Sequence, residues 1–244
     1  MGLACALGHD LETITQKLNT QTHGFSHRKE YSGFKGSRIS IGTEIPDFDT
    51  SSRYAEDWTS PNGHCLNKEN LKALNPHCFY AYHAVTQALA HAQLSSLELG
   101  DETGLFTASA GSATNLRYNL NCLHERGVGR SSPHGVINSV VGTLSYNLSA
   151  LFSITGAGCG FASACASSAH ALGFAMDQIE LGRQQRMIVV GAEDGDLDTI
   201  LPFGSMHALS TSTDPDTASL PFDRRRNGFV GSGGASALVI ESLE

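Results

Sequence analysis

Residues 160–182, GFASACASSAHALGFAMDQIELG, restrict the fold more than any other stretch. A cysteine lies among alanines and serines, and a helix-patterned segment follows it at once. Leu172, Met176 and Ile179 recur at spacings of four and three, with Ala169 a turn earlier, which is one face of a helix. Gly182 suits the position after a helix end, where glycine takes the left-handed conformation without steric cost. Ahead of the cysteine, LFSIT at 151–155 reads as a buried strand. Cys165 is thereby expected on a tight strand-to-helix turn, at or near a helix N-terminus. Free backbone N–H groups and the positive end of the helix dipole favour a thiolate there. Small neighbours, from Ala162 to Ser168, leave room for a substrate to reach the sulfur. A small cysteine packed inside a helix is the plain alternative that the same pattern allows.

The rest of the chain alternates strands with helices. The start, MGLACALG, reads as the end of a strand plus a turn, followed by a short amphipathic helix with Leu11, Ile14 and Leu18 on one face. Residues 20–61 form a polar surface excursion with a brief strand at 38–41, anchored by aromatic residues that include Phe48 and Trp58. Residues 66–94 predict two helical segments divided at Asn75-Pro76, because proline suits a first helical turn and disfavours helix before it. TGLFTAS at 103–109 predicts a strand, 115–124 and 135–150 predict helices, and RMIVVG at 186–191 predicts a fully buried strand. Residues 197–209 predict a short helix kinked or started by Pro202. SALVIE closes the pattern as a last strand. This alternation implies an α/β fold with a mostly parallel sheet covered by helices on both faces.

The 244 residues suffice for one large domain. No apolar run reaches membrane-spanning length, and the N-terminus lacks the layout of a signal peptide. Six cysteines show no disulfide-framework spacing, which predicts reduced thiols and a cytoplasmic protein. A formal net charge of −8 argues against nucleic acid as a partner. His64-Cys65 and His77-Cys78 match no zinc spacing, so no metal is expected. His170, five residues beyond Cys165, points to another helix face and is expected to be structural. Cys159 is expected to pack rather than react.

Several ordered motifs resemble the N-terminal half of a β-ketoacyl-acyl-carrier-protein synthase of the thiolase-like fold. ACASSAH at 164–170 resembles the nucleophile motif of the elongating enzymes, and IELGRQQRMIVVGAED at 179–194 resembles the helix end and strand that follow it. FGSMHALS at 203–210, PFDRRRNGFVGSGGASALVIE at 221–241 and GLACALGHDLETITQKL at 2–18 resemble further family segments. They cover nearly the whole chain in the right order.

The resemblance implies a single domain over 1–244, one half of the duplicated ketosynthase core, with a five-stranded sheet whose first strand is largely missing. It also implies a decarboxylating Claisen condensation in fatty acid or polyketide synthesis. Cys165 would accept the acyl chain as a thioester, with its own N–H as one oxyanion donor. Ser109, Ala110, Gly111 and Phe203 match positions that line the acyl pocket or its dimer-side wall. Lys68 and Lys72, with Arg126 and Arg130, would dock an acidic acyl carrier protein. A solvated charged face is the plain reading of each. Glu193 matches a buried, paired carboxylate, and Asp223 with Arg224 reads as a turn ion pair. No cofactor is implied beyond the carrier's phosphopantetheine. Partners would be the carrier protein and a second ketosynthase-like chain, in a homodimer or heterodimer. The family's catalytic histidines, lysine and glutamate belong to a C-terminal half that this stretch does not include. The alternative is a non-catalytic subunit like a chain length factor. The shortened first strand further predicts that these residues fold poorly alone.

Overall fold

The computed structural model describes residues 1–96 and 99–242. In chain order its main elements are β1 (Gly2–Ala4), α1 (Leu11–Asn19), β2 (Phe25–His27), α2 (Lys29–Ser32), β3 (Ile41–Thr43), α3 (Lys68–Ala73), α4 (Pro76–His91), β4 (Thr103–Ala108), α5 (Ala113–Arg126), α6 (Thr143–Phe152), β5 (Gly158–Phe161), α7 (Ser167–Glu180), β6 (Arg186–Glu193), α8 (Leu197–Ile200), α9 (Pro202–Ser205) and β7 (Gly234–Glu241). Five strands form one sheet in the order β1-β7-β6-β4-β5, and β2 pairs with β3 in a separate ribbon.

Successive side chains of β4 and β6 point to opposite faces, and both faces are covered. Leu105, Ile188 and Val190 pack beneath α4 and α6, together with Phe79, Ala84, Val85 and Leu148. Phe106, Met187 and Val189 point the other way, against Ala171 and Ala175 of α7. Alanines on the buried face of α7 let its backbone lie close to the sheet. Gly182 ends α7 as expected. Its φ is +64°, its N–H donates to Ile179 O, and the N–H of Arg183 donates to Gln178 O, both at 2.9 Å. This is the paired-bond closure that a left-handed residue permits.

The sheet departs from the expected, mostly parallel one. β4 runs parallel to β5 and β6, whereas β7 runs antiparallel to both β6 and β1. Residues 194–233 join β6 to β7 and include α8 and α9, of four residues each, and the chain folds back antiparallel alongside β6. The first strand is present as the three residues of β1, at the sheet's edge.

Other boundaries differ locally. The run at 151–155 is not a strand: Leu151 and Phe152 finish α6, and Ser153 caps it in the left-handed conformation at φ +54°. A short apolar run cannot by itself distinguish a helix end from a strand. The ribbon strand falls at Ile41–Thr43, past the expected 38–41. Residues 135–142 are turns, so that helix begins at Thr143. The division at Asn75-Pro76 holds, with Asn75 Oδ1 accepting the Cys78 N–H at 2.9 Å.

Candidate active site

β5 delivers the chain to Cys165 through a strained turn. Ala164 has φ +51°, a conformation that costs a non-glycine residue about 1–2 kcal/mol. The turn is held by the Ser167 hydroxyl, which accepts the Ser163 N–H and donates to Ala164 O, each at 2.7 Å. Cys165 follows, two residues ahead of the first residue of α7, with its side chain exposed. Such strain, where neighbouring bonds over-determine it, clusters at functional positions.

The sulfur opens onto a cleft of about 420 Å³ at the ends of β4 and β6, lined among others by Ser109, Ser168, Glu193, Gly233 and Ser236. In a sheet with parallel strands, the carboxyl ends of those strands are where ligand crevices form. Ser109 is therefore brought to the same cleft as Cys165. Ala110 and Gly111 continue its loop: the Gly111 N–H donates to Ser109 Oγ at 3.1 Å, and the Ala110 N–H to Glu193 Oε1 at 2.9 Å. Phe203 stands elsewhere, on α9, with its ring edge-on to Phe229 at 5.5 Å. It does not line the Cys165 cleft.

Glu193 is half-buried, and its Oε2 has no hydrogen-bond partner among the described residues. Burial pushes its carboxyl up, and the charge of Asp194 adds to this, against the Ala110 N–H and His77. The carboxylate that is both buried and paired is its neighbour Asp194. Asp194 Oδ1 meets His77 Nδ1 at 2.5 Å and also accepts the His77 N–H at 2.6 Å, and both side chains are 1% exposed. Burial acts to raise the Asp194 carboxyl, but His77 outweighs it, and the net shift is downward. Nothing in the local sequence marks this pair, whose members lie 117 residues apart.

His170 bonds the Ser163 hydroxyl at 2.7 Å, which fixes the turn before Cys165. Cys159, expected to pack, is exposed on β5. Asp223 pairs with Arg225 at 2.9 Å rather than with the expected Arg224, because a turn directs the residue two positions on toward the carboxylate, whose Oδ1 also accepts the Arg225 N–H. Lys68, Lys72, Arg126 and Arg130 are all exposed. Lys72 is engaged by Glu69 at 2.8 Å. Arg126 ends α5, and Arg130 ends the turn after it.

The model of the beta-ketoacyl synthase N-terminal domain matches residues 1–244. The chain belongs to this family. It is 31% identical over 250 aligned residues to the 3-oxoacyl-acyl-carrier-protein synthase 1 of Buchnera aphidicola subsp. Baizongia pistaciae, covering 100% of this chain and 58% of that protein. The synthase 1 of Escherichia coli K12 gives the same identity and coverage. A crystal structure of a beta-ketoacyl synthase from Burkholderia phymatum superposes with TM-score 0.84 at 23% identity, over 99% of this chain and 57% of that one. The ishigamide ketosynthase/chain length factor gives 0.77 at 22% identity, with the same coverage. The chain thus spans somewhat over half the length of these relatives, and the ketosynthase-like architecture is shared throughout it.

Among the described residues, no helix is long and apolar enough to cross a membrane.

Proposed function

We propose that Cys165 is the acyl acceptor of a β-ketoacyl-acyl-carrier-protein synthase acting in fatty acid or polyketide synthesis. The observation that carries this reading is the exposed sulfur on a strained turn before α7, opening into the cleft at the ends of β4 and β6. The Cys165 thiolate attacks the acyl thioester carbonyl, and the carrier's pantetheine thiol leaves. A carbanion equivalent, formed as malonyl-carrier protein loses carbon dioxide, then attacks the acyl-cysteine carbonyl. A carbon–carbon bond forms and the cysteine thiolate departs. These residues supply the nucleophile and one wall of its cleft. The groups that promote decarboxylation are expected outside them, and the substrates need no cofactor beyond the carrier's pantetheine arm.

The test is intact-protein and peptide mass spectrometry after exposure to an acyl-carrier-protein thioester or an epoxide inhibitor of the cerulenin type. One acyl or inhibitor mass on Cys165 is expected, with none on a Cys165→Ala variant. Label on another cysteine sinks the assignment. No label on any cysteine favours a supporting subunit of the chain-length-factor kind.

For the partner chain, β5 is the relevant element. Among the described residues it is hydrogen-bonded in the sheet to β4 alone, its residues 158–160 are exposed, and the ring of Phe161 stacks on the half-exposed Phe174 at 5.4 Å. An open edge beside exposed aromatic surface is a template for strand pairing with a second ketosynthase-like chain. Cys159→Lys places a charge on that edge. It is expected to convert a dimer to monomer in light scattering while leaving far-UV circular dichroism unchanged. A dimer that persists in this variant counts against pairing through β5.

A further inference from the structure

The segment between β3 and α3 lies across α4, and much of its seat is histidine. His83 on α4 is ringed by Phe48, Phe79 and Tyr82, with centroids 5.2, 4.9 and 5.2 Å away and planes nearly perpendicular to its own. Its Nε2 is buried and has no hydrogen-bond partner among the described residues. His64 packs edge-on to Phe79 at 5.5 Å, and its Nδ1 is buried in the same condition. His9 stands over Phe48 at 6.4 Å and faces Asp47 at 3.3 Å. Trp58 is buried against the same Phe79 at 5.5 Å. Thr50 and Tyr80 join their hydroxyls at 2.7 Å.

We propose that this cluster is an acid-sensitive clasp, closed while His83 is neutral and released, with residues 44–66 lifting from α4, when it takes up a proton. A buried imidazolium without a hydrogen-bond acceptor is strongly disfavoured. The charged groups that act on His83 are His64, from the covering segment, and His9, from the turn before α1; both oppose a further positive charge. Asp47 is held by His9, and the neighbours contributed by α4, Tyr80 and Tyr82, are neutral. Burial first, then His64 and His9, bring the His83 imidazole down to about 4.

The closed form therefore binds fewer protons than the open form. Closure is fully favoured above pH ~6.5, the ordinary histidine value, and weakens by roughly tenfold per pH unit as pH falls toward 4. The segment leads directly into α3 and packs against it, so its release displaces Lys68 and Lys72. Acid would thus reach the exposed basic helix through the clasp, whatever partner that helix serves. The inference is independent of the role proposed for Cys165.

Trp58 is the chain's single tryptophan, so its fluorescence reports on this seat. The experiment is an acid titration of the 244-residue chain from pH 7.5 to 3.5, followed by tryptophan fluorescence and by circular dichroism at 222 nm. Fluorescence is expected to change below pH 6.5 and to precede the loss of helix. In His83→Phe, which fits an aromatic box and cannot titrate, the fluorescence midpoint should fall by about one pH unit or more and merge with the helix transition. His64→Phe should shift it the same way by less, and stands in if His83→Phe does not fold. Coincident fluorescence and helix transitions in the unmodified chain, or an unmoved midpoint in the folded variants, would overturn the proposal.

Discussion

Asp194→Ala is expected to lower the free energy of unfolding by about 3–5 kcal/mol, the range found when one partner of a buried, hydrogen-bonded charged contact is removed. The carboxylate accepts from both the ring and the backbone N–H of His77. Its loss leaves two donors orphaned where the side chains are 1% exposed. His77 is in the first turn of α4, the helix that packs on β1, β6 and β7, so the damage falls where the core is densest. Asp194→Asn keeps an acceptor but surrenders the charge, and about 1–3 kcal/mol is expected. Urea unfolding of both variants tests the order. The pH dependence has a fixed sign. The folded Asp194 carboxyl lies below its ordinary value, so the folded state holds fewer protons. Its contribution is complete above the usual carboxylate range and is lost as pH falls through the folded value. Asp194→Asn should therefore flatten the acid limb of the stability curve below about pH 4, distinct from the His83 window above it. A loss under 1 kcal/mol for Asp194→Ala would mean that His77 finds another acceptor.

The nucleophile turn was legible in sequence because its signals are local. Small residues around Cys165 keep the surface open, apolar spacing from Leu172 to Ile179 gives the helix, and Gly182 stops it. β6 was legible because burial on both faces demands an apolar run, Met187 to Val190, and β4 because its Leu105-Phe106 core is flanked by strand-favouring threonines. β5 carries no such demand. Its residues GCGF are mostly exposed, so neither alternation nor a continuous run marks them, and the apolar end of α6 took the strand's place in the reading. The direction of β7 was hidden for a different reason. Apolar patterning reports that a strand is buried but not which way it runs. The His77–Asp194 pair depends on α4 and the end of β6 meeting in space. Of the residues expected around the site, Ser109 reaches the cleft because β4 ends beside the nucleophile turn. Phe203 does not line it, because α9 leads its ring to Phe229.

Gly195→Ala is expected to cost roughly 2–5 kcal/mol, combining a left-handed residue with overpacking. Gly195 has φ +68°, and a Cβ there would run into the backbone of Gly233, whose Cα lies 2.5 Å from the added atom. Backbone cannot step aside as a flexible side chain does. The crossing occurs where the chain leaves β6 and returns toward β7, and Gly233 and Gly234 line the Cys165 cleft. Gly182→Ala separates the two contributions. Gly182 has φ +64° and nothing within 4 Å of an added Cβ, so only the conformational part, about 1–2 kcal/mol, should appear. Thermal unfolding should rank Gly195→Ala well below Gly182→Ala. The alkylation rate of Cys165 by iodoacetamide should change in the first variant and not in the second, because only the first crossing shapes the cleft wall. Equal losses in the two variants would show that the loop after β6 can relax away from Gly233. In that case the cleft beside Cys165 is set by the Ser163–Ser167 turn alone, and its rear wall is free to move.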